Sequence, residues 1–213
     1  MKTDDLISLL AAGPVAVETD AVTRRYSSAL GWGALGALFL MTILLGVRPD
    51  FWAATALPMF WIKLGVPGAL AAGALPAAMR LSTPGRRLGR LPVMLAVPVA
   101  AIWGLAVLAL ARAAPGEREA LVFGSTWESC LAYVALLSLP LFAAALWAMK
   151  GLAPTRLVLA GAASGLLAGS VAALVYALHC PEMDAPFLAT WYLLGIFLPT
   201  VAGALIGPPL LRW

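Results

Sequence analysis

Charge is scarce in this 213-residue chain. Asp, Glu, Lys and Arg together make up 11% of it, under half of the roughly 25% found in soluble domains. A water-soluble fold of this size could not cover its surface with so few charges. Histidine occurs once, which excludes a multi-histidine metal centre. Two cysteines exclude a disulfide scaffold and leave one bridge or one reactive or metal-binding pair, and their spacing of about 50 residues makes no Cys-x-x-Cys redox motif. No P-loop, His-Glu-x-x-His or Gly-x-Ser-x-Gly is present, so the sequence reads as a non-enzyme. No acidic residue falls in the middle of an apolar run, which argues against a proton-coupled transporter.

Apolar length is abundant instead. Hydrophobic residues are 62% of the chain, and the mean hydropathy is +0.95. A helix needs roughly 20 mostly apolar residues to cross a bilayer. Six runs meet that requirement: Tyr26–Gly46, Pro58–Met79, Leu91–Leu110, Trp127–Ala148, Thr155–Leu178 and Pro186–Ile206. Turn chemistry or charge separates them: Arg48-Pro49-Asp50, Ser82–Arg87, Pro115–Glu119, Lys150–Pro154 and His179–Glu182. The expected fold is an all-α, polytopic membrane protein with six transmembrane helices. It divides into an N-terminal segment, 1–25, and a six-helix membrane domain, 26–213. Met1–Leu10 carries Lys2, Asp4 and Asp5 with no long apolar run at once behind it, which is not the pattern of a signal peptide.

The net charge of +4 does not point to nucleic acid, because the basic residues sit between the apolar runs, where topology signals belong. With six spans both termini share a side. That side holds Lys2, Arg24, Arg25, Arg80, Arg86, Arg87, Arg90, Lys150, Arg156 and Arg212; the other holds Arg48, Lys63, Arg112 and Arg118. The positive-inside rule places both termini in the cytoplasm. Phe51, Trp52, Trp61, Phe123, Trp127, Phe187 and Trp191 then line the far boundary, as an interfacial aromatic belt would.

Gly161, Gly165 and Gly169 recur every four residues, and Gly203 and Gly207 do the same. Small residues at this spacing let helices approach closely in lipid; packing within one bundle is the expectation, with a dimer face as the alternative. Pro67, Pro76, Pro98, Pro140 and Pro199 fall inside apolar runs, which membrane helices tolerate when neighbours satisfy the freed carbonyls. Lys63 alone among charged residues falls well inside a run. It is expected to snorkel outward, or else to pair with Glu128 or Glu182.

The cysteines are the sharpest feature. Cys130 opens the fourth run in Ser125-Thr126-Trp127-Glu128-Ser129-Cys130, and Cys180 lies in His179-Cys180-Pro181-Glu182-Met183 between the fifth and sixth. The topology brings both to the outer boundary, which in a bacterium faces a space where disulfides persist. A structural disulfide, a switchable thiol pair and two unrelated cysteines all fit. His179, Glu182 and Glu128 add N and O ligands, and thiolate with imidazole suits zinc, cadmium or copper. The adjacent spacing favours a paired or switchable cysteine site over a dedicated metal site.

At the N-terminus, Thr3 is placed to cap a helix whose first turn carries Asp4 and Asp5. Leu6, Ile7, Leu9 and Leu10 give it an apolar face, and Gly13-Pro14 ends it. A helix of roughly eight to ten residues is too short to hold alone in water. It needs a surface: the membrane, whose anionic lipid would repel its acidic turn, or a groove on a cytoplasmic partner. The stretch 15–23, with Glu18 and Asp20, reads as a polar tether.

Several of these stretches together resemble one family. The opening Met1-Lys2-Thr3-Asp4-Asp5-Leu6-Ile7, then Arg48-Pro49-Asp50, Phe60-Trp61-Ile62-Lys63-Leu64, the Ser125–Cys130 stretch, Leu152–Arg156, His179–Met183 and the closing Trp191–Trp213 are similar to NrsF-type negative regulators of extracytoplasmic-function sigma factors. The resemblance spans essentially the whole chain, and the cysteine-bearing segments are its most specific parts. It implies a multi-pass anti-sigma factor of the bacterial inner membrane that holds a sigma factor inactive. It also implies release of that factor under stress such as thiophilic heavy metals, with Cys130 and Cys180 as the sensing residues. The N-terminal helix, with Asp4, Asp5, Leu6, Ile7, Leu9 and Leu10, is then the sigma-binding element, and no resident cofactor is expected beyond a thiophilic ion such as zinc or cadmium. Three rival readings are a small transporter, a membrane redox enzyme, and a structural subunit whose cysteines are merely bridged.

Overall fold

The structure, a computed structural model, describes residues 3–12 and 20–212, with backbone only at 9, 10 and 12. All the regular elements among these residues are helical. Helix α1 (Thr3–Ala12) starts at Thr3, with Asp4 and Asp5 in its first turn. The side chains of Leu9 and Leu10, the Gly13-Pro14 stop and tether residues 15–19 lie outside the described residues.

The six apolar runs all become helices long and apolar enough to cross a membrane. They are α2 (Ala21–Leu44), α4 (Pro58–Leu81), α5 (Leu91–Arg112), α7 (Trp127–Lys150), α8 (Leu157–Tyr176) and α10 (Leu193–Leu211). Three short helices fill gaps that read as breakers or loop: α3 (Phe51–Thr55), α6 (Arg118–Phe123) and α9 (Ala185–Phe187). Most boundaries fall within two residues of expectation; the first span starts five residues earlier and the last ends five residues later, at Leu211. Helix α2 begins at Ala21, so the end of the expected tether belongs to the first spanning helix. The last span reaches back to Ala185, because a π-helical turn, Leu188–Tyr192, joins α9 to α10.

Helix α8 is the interior element, packed against α10, α7, α4 and α2. Its buried face is almost all small: Ala160, Gly161, Ala163, Ser164, Gly165, Ala168, Gly169, Ala172 and Ala173. Small side chains allow neighbours to close on a helix from several sides, and in lipid van der Waals contact is what holds them there. The approach is tightest at α10, where Gly161 and Gly203 face each other's carbonyl oxygens and Gly165 faces the Pro199 carbonyl; a Cβ at any of the three would collide with backbone. The glycine repeat therefore serves packing within one bundle.

The chain alternates direction, so two ends can be told apart. One gathers Tyr26, Leu81, Leu91, Met149, Ala160 and Leu211 into a core; there the Tyr26 hydroxyl pairs with Ser82 Oγ at 2.8 Å. The other gathers Met41, Cys130, Cys180, Ala185 and Phe187, and it carries the three short helices. Part of the expected aromatic belt is at this second end: Trp52, Trp61 and Phe123 are exposed. Phe187 is a correction, since it is fully buried. The reason is that α9 turns inward, where it packs against α5.

Candidate functional site

The second end holds a buried polar cluster built around the segment 178–182. Helix α8 stops at Tyr176, and the amides of His179 and Cys180 both return to the Tyr176 carbonyl, each at 3.0 Å. That tight exit sets Cys180 under the end of the bundle. Cys130 lies one turn into α7. Both thiols are fully buried and free, and Tyr176 neighbours both. The sequence-distant cysteines are thus brought to one place. The structural-disulfide reading is corrected: no bond joins them.

Two cations fix the Cys180 backbone. Lys63 Nζ donates to the carbonyl oxygens of Cys180 (2.6 Å) and Glu182 (2.8 Å), and lies 5.5 Å over the Tyr192 ring, within cation–π range. Arg48 Nη1 donates to the same Cys180 carbonyl at 3.2 Å, and the Arg48 amide donates to Leu178 O at 3.1 Å. Arg48 is held in turn by Asp50 through two parallel bonds of 2.7 Å, the fork geometry in which guanidinium meets carboxylate best. Asp50 raises the Arg48 pKa above its ordinary value, chiefly through that hydrogen bond. Arg48 holds the Asp50 carboxyl below its ordinary value for the same reason.

The expected behaviour of Lys63 is corrected on both counts. It does not snorkel: the residue is 1% exposed, because α4 points it inward beneath segment 178–182. It does not pair with Glu128 either, since Glu128 is exposed on the first turn of α7. Two backbone carbonyls take the place of a carboxylate in satisfying the ammonium.

Glu182 clamps the same segment to α7. Its Oε1 accepts from the Ser125 amide (2.8 Å), Ser125 Oγ (2.7 Å) and Thr126 Oγ1 (3.3 Å), next to the positive end of the α7 dipole. The fit needs Gly124, which adopts φ +55° and packs against the carboxylate. Nearby, Asp184 has its carboxyl pKa raised, first by burial and then by the negative Glu182. His179 Nδ1 is 3.0 Å from the Gly46 carbonyl; a carbonyl only accepts, so Nδ1 is the donor in this contact. Among the described residues no three His, Cys, Asp or Glu side chains converge as a metal-binding group. The two thiols come together, whereas the Glu182 carboxylate is turned away to α7.

Aromatic rings pack round the thiols. Tyr133, Tyr176, His179 and Tyr192 form a chain of rings with centroids 5.9 to 6.4 Å apart. Three of the four tyrosines in the sequence are in it. The π turn sends consecutive residues to different neighbours: Tyr192 goes inward under Lys63, and Trp191 Nε1 donates to Val122 O of α6 at 2.9 Å. Such turns often stand at functional positions in membrane and soluble helices. Sequence reasoning missed Arg48, Asp50 and the tyrosines. A signal for two of them existed, because Tyr133 and Tyr176 lie three and four residues from a cysteine, one helical turn away.

Known proteins resemble this chain over its whole length. A family model described as "NrsF: Negative regulator of sigma F" matches residues 10–213. A probable anti-sigma-F factor NrsF of Azospira oryzae is 54% identical over 213 residues, covering 100% of both chains. The anti-sigma-F factor NrsF of Caulobacter vibrioides is 40% identical over 215 residues, again covering 100% of both. No solved structure matches the chain.

Proposed function

We propose a function from one premise: the chain belongs to the NrsF family, negative regulators of sigma F. On that premise it is an anti-sigma factor of the bacterial inner membrane, with both termini in the cytoplasm, and its partner is an extracytoplasmic-function sigma factor. The charge distribution supports the orientation: the end of the bundle with Arg24, Arg25, Arg80, Arg86, Arg87, Arg90, Lys150, Arg156 and Arg212 is the cytoplasmic one, and the cysteine cluster faces the periplasm.

Helix α1 is the sigma-binding element. It is too short to be stable alone, and its described side chains, Leu6 and Ile7 among them, are exposed, so its apolar face is left for a partner. Leu6, Ile7, Leu9 and Leu10 anchor it in a groove, each side chain supplying roughly 1.5–3 kcal/mol before ordering costs. Asp4 and Asp5 stabilise its positive end.

Cys130 and Cys180 form the stress-sensing pair. The single observation that carries this reading is that two free thiols, one on α7 and one between α8 and α9, lie buried beside one tyrosine. Soft thiolates suit a thiophilic ion such as cadmium or zinc. Binding one ion releases the two thiol protons; oxidation to a disulfide releases two protons and passes two electrons to the oxidant. Either event ties α7 to segment 178–182, whose backbone is already fixed to α4 and to the α2–α3 connection. The bundle then shifts to a packing in which α1 releases sigma. The signal is allosteric because the two packings bind sigma differently. The experiment is co-purification from membranes. Full-length chain retains sigma F and a chain lacking residues 1–12 does not; retention by the truncated chain would contradict the role given to α1.

A further inference from the structure

At the opposite end of the bundle, far from the cysteines, α2 and the turn after α7 enclose a recess of about 340 Å³ lined by Ala21, Arg24, Arg25, Ser28, Trp147 and Gly151, among others. Arg25 is held there in a fixed pose. Its guanidinium lies 4.5 Å over the Trp147 ring, and Nη2 donates to the Trp147 carbonyl at 3.4 Å. Gly151 makes room for it, since a Cβ at that position would overlap the guanidinium. The Arg25 Nε is buried and meets no acceptor, and buried donors are normally paired. Among the described residues no carboxylate lines the recess.

Trp147 also borders a second, apolar groove of about 530 Å³ along α7, lined by Leu139, Phe142, Ala143, Leu146 and Leu210, with Lys150 at its end. A cationic recess therefore adjoins an apolar channel on the membrane-facing surface, at the level where the spanning helices end. The chemistry that matches both parts is an anionic headgroup carrying an acyl chain. Guanidinium is the side chain best suited to phosphate oxygens, and basic pockets at helix ends of this kind hold anionic lipid. We propose that the Arg25 recess is a binding site for the phosphate of an anionic phospholipid, with one acyl chain lying along the α7 groove.

Native mass spectrometry of the full-length protein in detergent, titrated with phosphatidylglycerol, tests this. Wild type retains a phosphatidylglycerol adduct in preference to phosphatidylcholine. Arg25→Gln weakens that retention about tenfold or more, the scale of one charge-assisted contact. Gly151→Leu, which displaces the guanidinium without removing charge, does the same and covers the case in which Arg25→Gln fails to fold. Arg87→Gln removes an equal charge from the exposed loop on the same side and leaves retention unchanged. Equal loss in Arg25→Gln and Arg87→Gln would overturn the proposal in favour of diffuse charge. Displacement of the lipid by inorganic phosphate alone at comparable concentration would make this a free-anion site and overturn the lipid reading. Unchanged lipid retention in Arg25→Gln with weakened sigma F retention would assign the recess to an acidic surface of the partner.

Discussion

Lys63 Nζ donates at 2.6 Å to the backbone carbonyl of Cys180, 117 residues away in the chain. A spanning helix thereby holds the residue at the heart of the candidate sensor by its main chain, while Tyr176 meets its thiol. Replacing Lys63 with Met keeps much of the packing but leaves the Glu182 carbonyl without its donor. The expected cost is about 1–3 kcal/mol, the penalty of an unsatisfied buried acceptor. Thermal unfolding in detergent would measure it. Lys63→Arg, which keeps the charge, is expected to recover part of the loss.

Gly124 is the second point at which segment 178–182 is fixed to its surroundings. Its φ of +55° is strained for any other residue, and a Cβ there would press on the Glu182 carboxylate that caps the start of α7. Gly124→Ala is expected to destabilise by about 1–3 kcal/mol. It is also expected to raise the reactivity of Cys130, which sits one turn further along α7, towards a small alkylating reagent; unchanged labelling would argue against a clamp.

The spans were legible because 20-residue apolar runs have few alternatives, and the convergence of Cys130 and Cys180 followed from counting them. Segment 178–182 was legible as a break that carries Cys180, His179 and Glu182, but its polar contacts were not. Its partners are main-chain carbonyls, and a carbonyl leaves no mark in the sequence; Lys63 accordingly looked like a boundary lysine in search of an acid. Arg48 and Asp50 read as turn residues around a proline, with nothing to say that their fork supports Cys180. The π turn at Leu188–Tyr192 was hidden inside an unbroken apolar run, because hydropathy does not record one extra residue per turn. Phe187 looked like a belt aromatic because hydropathy does not show that α9 turns inward against α5.

The Arg48–Asp50 fork makes a pH prediction. Asp50 has its carboxyl held below the ordinary value of 3.8 by the Arg48 hydrogen bond. A depressed carboxyl contributes stability that is present above the ordinary value and is lost as pH falls through the depressed one. Wild type is therefore expected to lose unfolding temperature in that acid range more steeply than Asp50→Asn. Near neutral pH the variant is expected to be the less stable of the two, since it lacks the ionised partner. Parallel curves across the acid range would show that the fork carries no linkage.

Helix α1 makes another. Leu6→Asp and Ile7→Asp each place a charge on the face assigned to sigma, and each is expected to weaken sigma F retention tenfold or more, in line with roughly 1.5–3 kcal/mol per buried aliphatic side chain. The exposed Ser8 makes only a local bond to the Asp4 carbonyl. Ser8→Ala is expected to leave retention within a few-fold, which a binding titration in membranes would check.

The central claim is that the thiol pair controls the hold on sigma. The direct measurement is release of sigma F from the purified membrane complex on adding cadmium, compared between wild type and the Cys130→Ser, Cys180→Ser double variant. The account predicts release from wild type, and retention by the double variant at the same metal concentration. Release from both alike would contradict it, and would leave the cluster around Lys63 and Cys180 as a structural brace.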